Sequence, residues 1–296
     1  MSKAEFCELS GDSYSLNSPK GIEAKVYEQL KPSTVKVLHG LSFGSGIVLD
    51  PQEHIATDVH VALQNRHLQI QTPNGPLDAF IEKLNVIDDV AILSVPGLSK
   101  SGFKAAKLKV DAGLSLGTTA YSMGFPKALE LGVPCISHGQ ISDVGALMEI
   151  TRKAFPNAEF LTSLDVMPVI QGHSLGQFVF NHRDSFAGKA DKLEAIAVEN
   201  GVPHRFGNGT SGGPLADEGA DVIGMNDGVH KNQQLLATPA AKIAETASSP
   251  SRLRFVYASN QLKSIEPLDP SDKVASDEAA LANLVLADNE HPAPPQ

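Results

Sequence analysis

The sequence predicts an all-β fold, a barrel or a sandwich, on three observations. Short β-rich segments follow one another closely, turn signals such as Asp50-Pro51-Gln52-Glu53 and Pro73-Asn74-Gly75-Pro76 separate them, and few stretches carry a helical period. With 42% apolar residues but only 5% aromatic and no Trp among 296 residues, the core must be built from Val, Ile, Leu and Ala. That length suits one large all-β unit or two packed lobes.

Residues 1–24 are polar and turn-rich (Ser10-Gly11-Asp12-Ser13, Asn17-Ser18-Pro19) and are expected to form a flexible arm. A short helix over Ala24 to Leu30 leads into the first series of strands: Thr34 to Leu38, Gly46 to Leu49, His54 to Thr57, Leu68 to Thr72, Ala79 to Leu84 and Val90 to Val95. Pro96 to Gly102 reads as a linker between lobes. The second series is Thr118 to Met123, Cys135 to Ile141, Leu193 to Val198, Val222 to Met225 and Gln234 to Thr238, with Phe160 to Val169 and Gln177 to Asn181 as further candidates. Ala240 to Ala247 is a short helix closed by Ser248-Ser249-Pro250. Beyond it lie one strand, Arg252 to Tyr257, and an amphipathic helix with N-cap Ser276, Asp277 and Glu278 in its first turn, and Leu281, Leu284 and Val285 on one face. The end, His291 to Gln296, reads as disordered.

Composition excludes several functions. A formal charge of -10 and no Lys/Arg run longer than a pair argue against nucleic acid as a partner. No apolar run reaches the roughly 18 residues of a membrane helix. Cys7 and Cys135 allow one bridge and no disulfide framework. The first residues carry acids where a signal peptide has its apolar region, so the expected compartment is cytoplasmic unless a signal has been removed.

The chemistry converges on Gly207-Asn208-Gly209-Thr210-Ser211-Gly212-Gly213-Pro214-Leu215, one serine hydroxyl among four glycines. Its Gly-x-Gly-x-x-Gly match is a decoy, since Pro214 and the turn Asp217 to Ala220 lead into a strand rather than opening a helix. Neither a phosphate loop nor a His-Glu-x-x-His zinc motif occurs, so no cofactor and no metal are expected. A serine nucleophile needs a base and an acid that orients the base. His60, after the strand His54 to Thr57, offers the first; Asp89, heading the apolar run Val90 to Leu93, offers the second, with Asp88 as its rival.

Thr57-Asp58-Val59-His60-Val61, Asp89-Val90-Ala91-Ile92-Leu93 and Gly209-Thr210-Ser211-Gly212-Gly213-Pro214-Leu215, in that order, resemble the trypsin-like serine proteases and most closely the bacterial HtrA (Deg) branch. Gly44-Ser45-Gly46-Ile47-Val48-Leu49-Asp50, Met123-Gly124-Phe125-Pro126 and Val222-Ile223-Gly224-Met225-Asn226 extend the likeness. The resemblance implies two six-stranded antiparallel barrels with the site between them. It gives a protease domain over 25–247, its first barrel at 25–97 and its second at 103–247, with an insertion at about 146–192 and an extension at 248–296. It also implies a catalytic triad of His60, Asp89 and Ser211, an oxyanion hole from the amides of Gly209 and Ser211, and a substrate-pairing edge at Met225, Asn226 and Asp227, with Met225 favouring an apolar pocket.

The implied activity is a serine endopeptidase acting on protein or peptide substrates through an acyl-enzyme. Assembly into a homo-oligomer stays open. The alternatives are a catalytically silent peptide-binding module and an esterase or acyl-transferring use of the same triad. Thr210 and Asp58 depart from the pattern without touching the triad. Arg205, where basic-selective members keep an acid, argues against a trypsin-like preference. The stretch after Ala247 is too short for the PDZ domain usual in this branch.

Overall fold

A computed structural model describes residues 6–10, 13–15, 21–40, 42–50, 53–62, 68–85, 88–144, 196–199, 206–229, 234–249, 253–258 and 261–267. Six antiparallel strands close the first barrel: β3 (Thr34–His39), β4 (Ser42–Val48), β5 (His54–Asp58), β6 (Leu68–Thr72), β7 (Gly75–Asn85) and β8 (Val90–Ser94), in the order β3-β4-β5-β8-β7-β6. They follow two edge elements, β1 (Cys7–Ser10) and β2 (Ser13–Ser15), and the helix α1 (Gly21–Leu30).

Alternation sets the faces of β3, where Val35 and Val37 point into the barrel core with Ile70 and Leu93. Lys36 and Leu38 fall on the outer face, opposite Ser45 and Phe43 of β4. β8 reads as an unbroken apolar run because both its faces are buried. Ala91 and Leu93 fill the barrel, whereas Val90 and Ile92 enter a layer shared with the second barrel.

The second barrel is a ring of β9 (Thr119–Gly124), β10 (Cys135–Val144), β11 (Ile196–Glu199), β12 (Pro214–Ala216), β13 (Val222–Val229) and β14 (Gln234–Pro239). A pairing between β10 and β11 closes it. Its interior holds Ala120, Ile141, Val198, Phe206, Leu215, Ile223 and Leu235. Between the barrels, Ile47, Ala56, Val90 and Ile92 meet Met123, Ile136, Val222 and Met225, and the layer is sealed by Val26 and Tyr27 of α1 and by Ile243 of α3 (Ala240–Ser248). Each fully buried aliphatic side chain contributes on the order of 1.5–3 kcal/mol relative to exposure, so this layer fixes one lobe against the other and with it the cleft. The connecting segment is stitched to both: Ala106 donates its amide to the Val48 carbonyl, and Lys109 to that of Val222.

Three expectations need amending. The polar stretch 1–24 is not simply an arm: β1 pairs in parallel with β10, Phe6 and Leu9 are buried, and Cys7 is bridged to Cys135 across a separation of 128 residues. Burial of Phe6 against Tyr27 and the covalent link outweigh the turn-rich composition. Second, Pro214–Ala216 is a strand, which its leading proline disguises, and all three of its residues are buried. Third, the single strand expected after Pro250 is a hairpin of β15 (Leu253–Ala258) and β16 (Gln261–Pro267). The insertion at 146–192, the strand candidates at 160–169 and 177–181, and the helix at Ser276 lie outside the described residues.

Candidate active site

β5 ends at Asp58 and the chain turns at once into a single helical turn, α2 (Val59–Ala62), which carries His60. Asp89 heads β8, the neighbour of β5, and holds this turn in three ways. Its carbonyl accepts the Val59 amide, Oδ1 accepts the His60 amide, and Oδ2 lies 2.6 Å from His60 Nδ1. To do so it adopts φ 56, a left-handed conformation that Asp tolerates better than most residues. Asp88 faces elsewhere, toward Asn85 at 2.8 Å and Lys242 at 3.9 Å. Sequence spacing left the two aspartates as rivals; only Asp89 meets the ring.

The loop carrying Ser211 lies against the first barrel through Ser45 of β4. Ser45 donates its amide to the Ser211 carbonyl and its hydroxyl to the Gly209 carbonyl, while its own carbonyl accepts from the Thr57 hydroxyl. Gly209 and Gly212 have φ of 93° and 84°, and a Cβ there would lie 2.3 Å from the Phe125 carbonyl oxygen and 2.2 Å from that of Ser45. Both positions therefore demand glycine on conformational and steric grounds. On the far side, the Lys127 amide donates to the Asn208 carbonyl. Among the described residues the amides of Gly209 and Ser211 donate to no protein group. The Ser211 hydroxyl donates to the Asp227 carbonyl at 3.1 Å.

Two further carboxyl groups crowd the same imidazole. Asp58 is wholly buried with Oδ2 3.7 Å from His60 Nε2, the nitrogen opposite Asp89, and the Asp227 carboxylate is buried beside them. Together Asp58, His60, Asp89 and Asp227 bring ligand-type atoms within 4.8 Å of one another, the one such group among the described residues with spacing able to hold a cation. Sequence reading set Asp58 aside as a departure outside the triad. Its signal was available, since an acid two residues before a histidine at a strand end is carried by the turn of the chain toward the ring.

The three residues expected at a substrate edge separate. Met225 is fully buried in the layer between the barrels and paired on both sides, with Pro214 and Thr238. Its side chain lines that layer rather than an open pocket. Asn226 is also engaged twice, accepting from the Gly212 amide and donating its own amide to Gly213, while its side chain donates to the Met123 carbonyl. Asp227 turns its side chain inward. β13 pairs with β12 only through Met225, whereas its pairing with β14 runs on to Val229.

His39, at the end of β3, is buried with Nε2 lacking a hydrogen-bond partner. Burial, then the nearby Lys127 charge, lowers its pKa from 6.5 to about 4. An unfolded chain therefore binds a proton that the folded one refuses between those values, and stability is full above pH 6.5 and lost as pH falls toward 4. His39→Gln is expected to remove about 1–3 kcal/mol of that acid loss, read as a smaller fall in Tm between pH 7 and pH 4.5 than in the unaltered protein.

A trypsin-like peptidase domain model matches residues 44–188, a span that takes in His60 and Asp89 and stops short of Ser211. No curated protein matches the chain by sequence. Among solved structures, the chain is similar to the Rv3671c protease from M. tuberculosis in its active form (TM-score 0.56, 17% identity, covering 89% of this chain and 98% of that one). It is also similar to the serine endoprotease from Yersinia pestis (TM-score 0.53, 15% identity, 77% and 66%). A third likeness is to Deg5 (TM-score 0.51, 18% identity, 76% and 91%). At such identities the likeness is one of fold.

Proposed function

We propose that this chain, which carries a trypsin-like peptidase domain in the two-barrel fold and is a serine-type endopeptidase, cleaves peptide bonds through an acyl-enzyme on Ser211. His60 is the base and later the acid, and Asp89 holds its ring. The observation that carries the reading is the 2.6 Å approach of Asp89 Oδ2 to His60 Nδ1, in a cleft where the Ser211 loop is pinned by Ser45.

A carboxylate on Nδ1 fixes the ring so that Nε2 bears the lone pair, and stabilises the imidazolium formed when Ser211 gives up its proton. The hydroxyl turns from the Asp227 carbonyl to Nε2 as it attacks. That carbonyl is then free to accept an N–H from the acyl half of the substrate, so substrate binding itself releases the nucleophile. The undonated amides of Gly209 and Ser211 receive the oxyanion. Asp58 Oδ2, 3.7 Å from Nε2, stands beside the nitrogen that takes up the serine proton. The bond to the leaving amine breaks as His60 returns the proton to its nitrogen, and water repeats the sequence on the ester.

Because Met225 and Asn226 are engaged on both sides, we move the substrate-pairing edge to the backbone from Asp227 to Val229, an extended peptide adding a strand there. The test is digestion of an unfolded protein by the purified chain, with new N-termini identified by mass spectrometry. Cleavage that disappears in Ser211→Ala supports the reading. Intact substrate would favour the silent binding module, and turnover of esters alone the acyl-transferring use.

A further inference from the structure

We propose that Lys36 and Lys127, whose ammonium groups both lie over the Phe43 ring, form a subsite for a carboxylate-bearing residue in the leaving-group half of a peptide substrate. The inference rests on the peptidase reading and adds what the cleft selects. Lys36 Nζ sits 3.6 Å from the Phe43 ring centroid and 5.8 Å from that of Phe125, and Lys127 Nζ lies 6.0 Å from Phe43. In a chain of formal charge -10, these two half-buried ammonium groups make no ion pair among the described residues. Burial pushes both below the usual lysine range, and for Lys36 only the exposed Glu130 pulls the other way. An ammonium desolvated without a counter-ion gains most from an incoming carboxylate.

The position follows from register and contact. Lys36 stands opposite Ser45 on the outer face of β3 and β4, and Phe43 lies two residues along the same face. Ser45 is the residue bonded to the Gly209 carbonyl, so this face abuts the nucleophile loop. Lys127 donates its amide to Asn208, and its side-chain stem would touch a Cβ at Gly209. The Lys127 contacts are to the part of the loop before Ser211, and Lys36 shares the Phe43 ring with Lys127. β13, where the acyl half pairs, contacts the part after it, at Gly212 and Gly213. The lysine pair therefore lies across Ser211 from the acyl side, where the leaving segment must run. Buried His39 borders the same patch and is neutral at neutral pH, leaving the two lysines to supply the charge.

The experiment uses fluorogenic peptides identical but for Asp, Ala or Lys at each of the first three positions after the scissile bond. The unaltered protein is expected to cleave the best Asp peptide about tenfold faster than its Ala twin in kcat/KM, the Lys peptide more slowly still, with the contrast shrinking in salt. Lys36→Met and Lys127→Met keep the apolar stems and should each reduce the ratio, the double variant bringing it close to one while cleavage of the Ala peptide holds. Equal rates for Asp and Ala, or a preference that survives the double variant, overturns the subsite. Binding of the same peptides to Ser211→Ala separates the two ideas: charge-dependent binding to that variant, with none of the peptides cleaved by the unaltered protein, sustains the subsite and overturns the peptidase reading.

Discussion

Ser211→Ala is expected to lower turnover of a cleaved peptide by about six orders of magnitude, leaving only the catalysis that binding and an oxyanion hole supply without a nucleophile. The fold should not notice. The contacts that hold the loop in place run through backbone atoms and through Ser45: the Ser45 amide to the Ser211 carbonyl, the Ser45 hydroxyl to the Gly209 carbonyl, and the Gly212 amide to the Asn226 carbonyl. The Ser211 side chain contributes one hydrogen bond, to the Asp227 carbonyl, so the expected change in stability is within about 1 kcal/mol. A variant with an unchanged Tm and retained turnover would mean that another group attacks.

Asp89→Asn should cost about four orders of magnitude in kcat, again with little loss of stability. Asn keeps an oxygen to accept the His60 amide and tolerates the left-handed conformation at φ 56. What it cannot do is accept a proton-bearing Nδ1 with the oxygen already committed: its amide then donates to the ring, which carries its proton on Nε2 and can take none from serine. Asp88→Asn is the control. Asp88 bonds Asn85 and approaches Lys242 rather than His60, and Asn at this position keeps an oxygen to accept from Asn85, so the substitution should change kcat/KM less than about threefold. Equal losses in the two variants would contradict the assignment of the acid.

Much of this fold is written in period and punctuation. β3 alternates because one face is core, and β8 runs apolar because both faces are; either pattern marks a strand. The site is legible for a different reason, since Gly209 and Gly212 are glycines that the chain cannot replace where a Cβ would strike the Phe125 and Ser45 carbonyl oxygens. Other features depend on partners distant in sequence. Nothing local marks Cys7 for a strand beside Cys135, or Pro214 for a strand at all. Met225 sits in a motif that suggests a pocket, yet its neighbours Pro214 and Thr238 close it on both sides. Asp58 is local to His60, and its weight emerges only when Asp89 occupies the opposite nitrogen and Asp227 arrives from the other barrel.

The central claim is that Ser211 is a nucleophile activated in the folded chain. A fluorophosphonate probe tests it directly, because the probe is attacked only by a serine with its base and oxyanion donors in place. The expected result is covalent labelling of the folded protein confined to the peptide containing Ser211, lost in Ser211→Ala and strongly reduced in His60→Ala. Folded protein that resists the probe, or carries it on another residue, contradicts the claim.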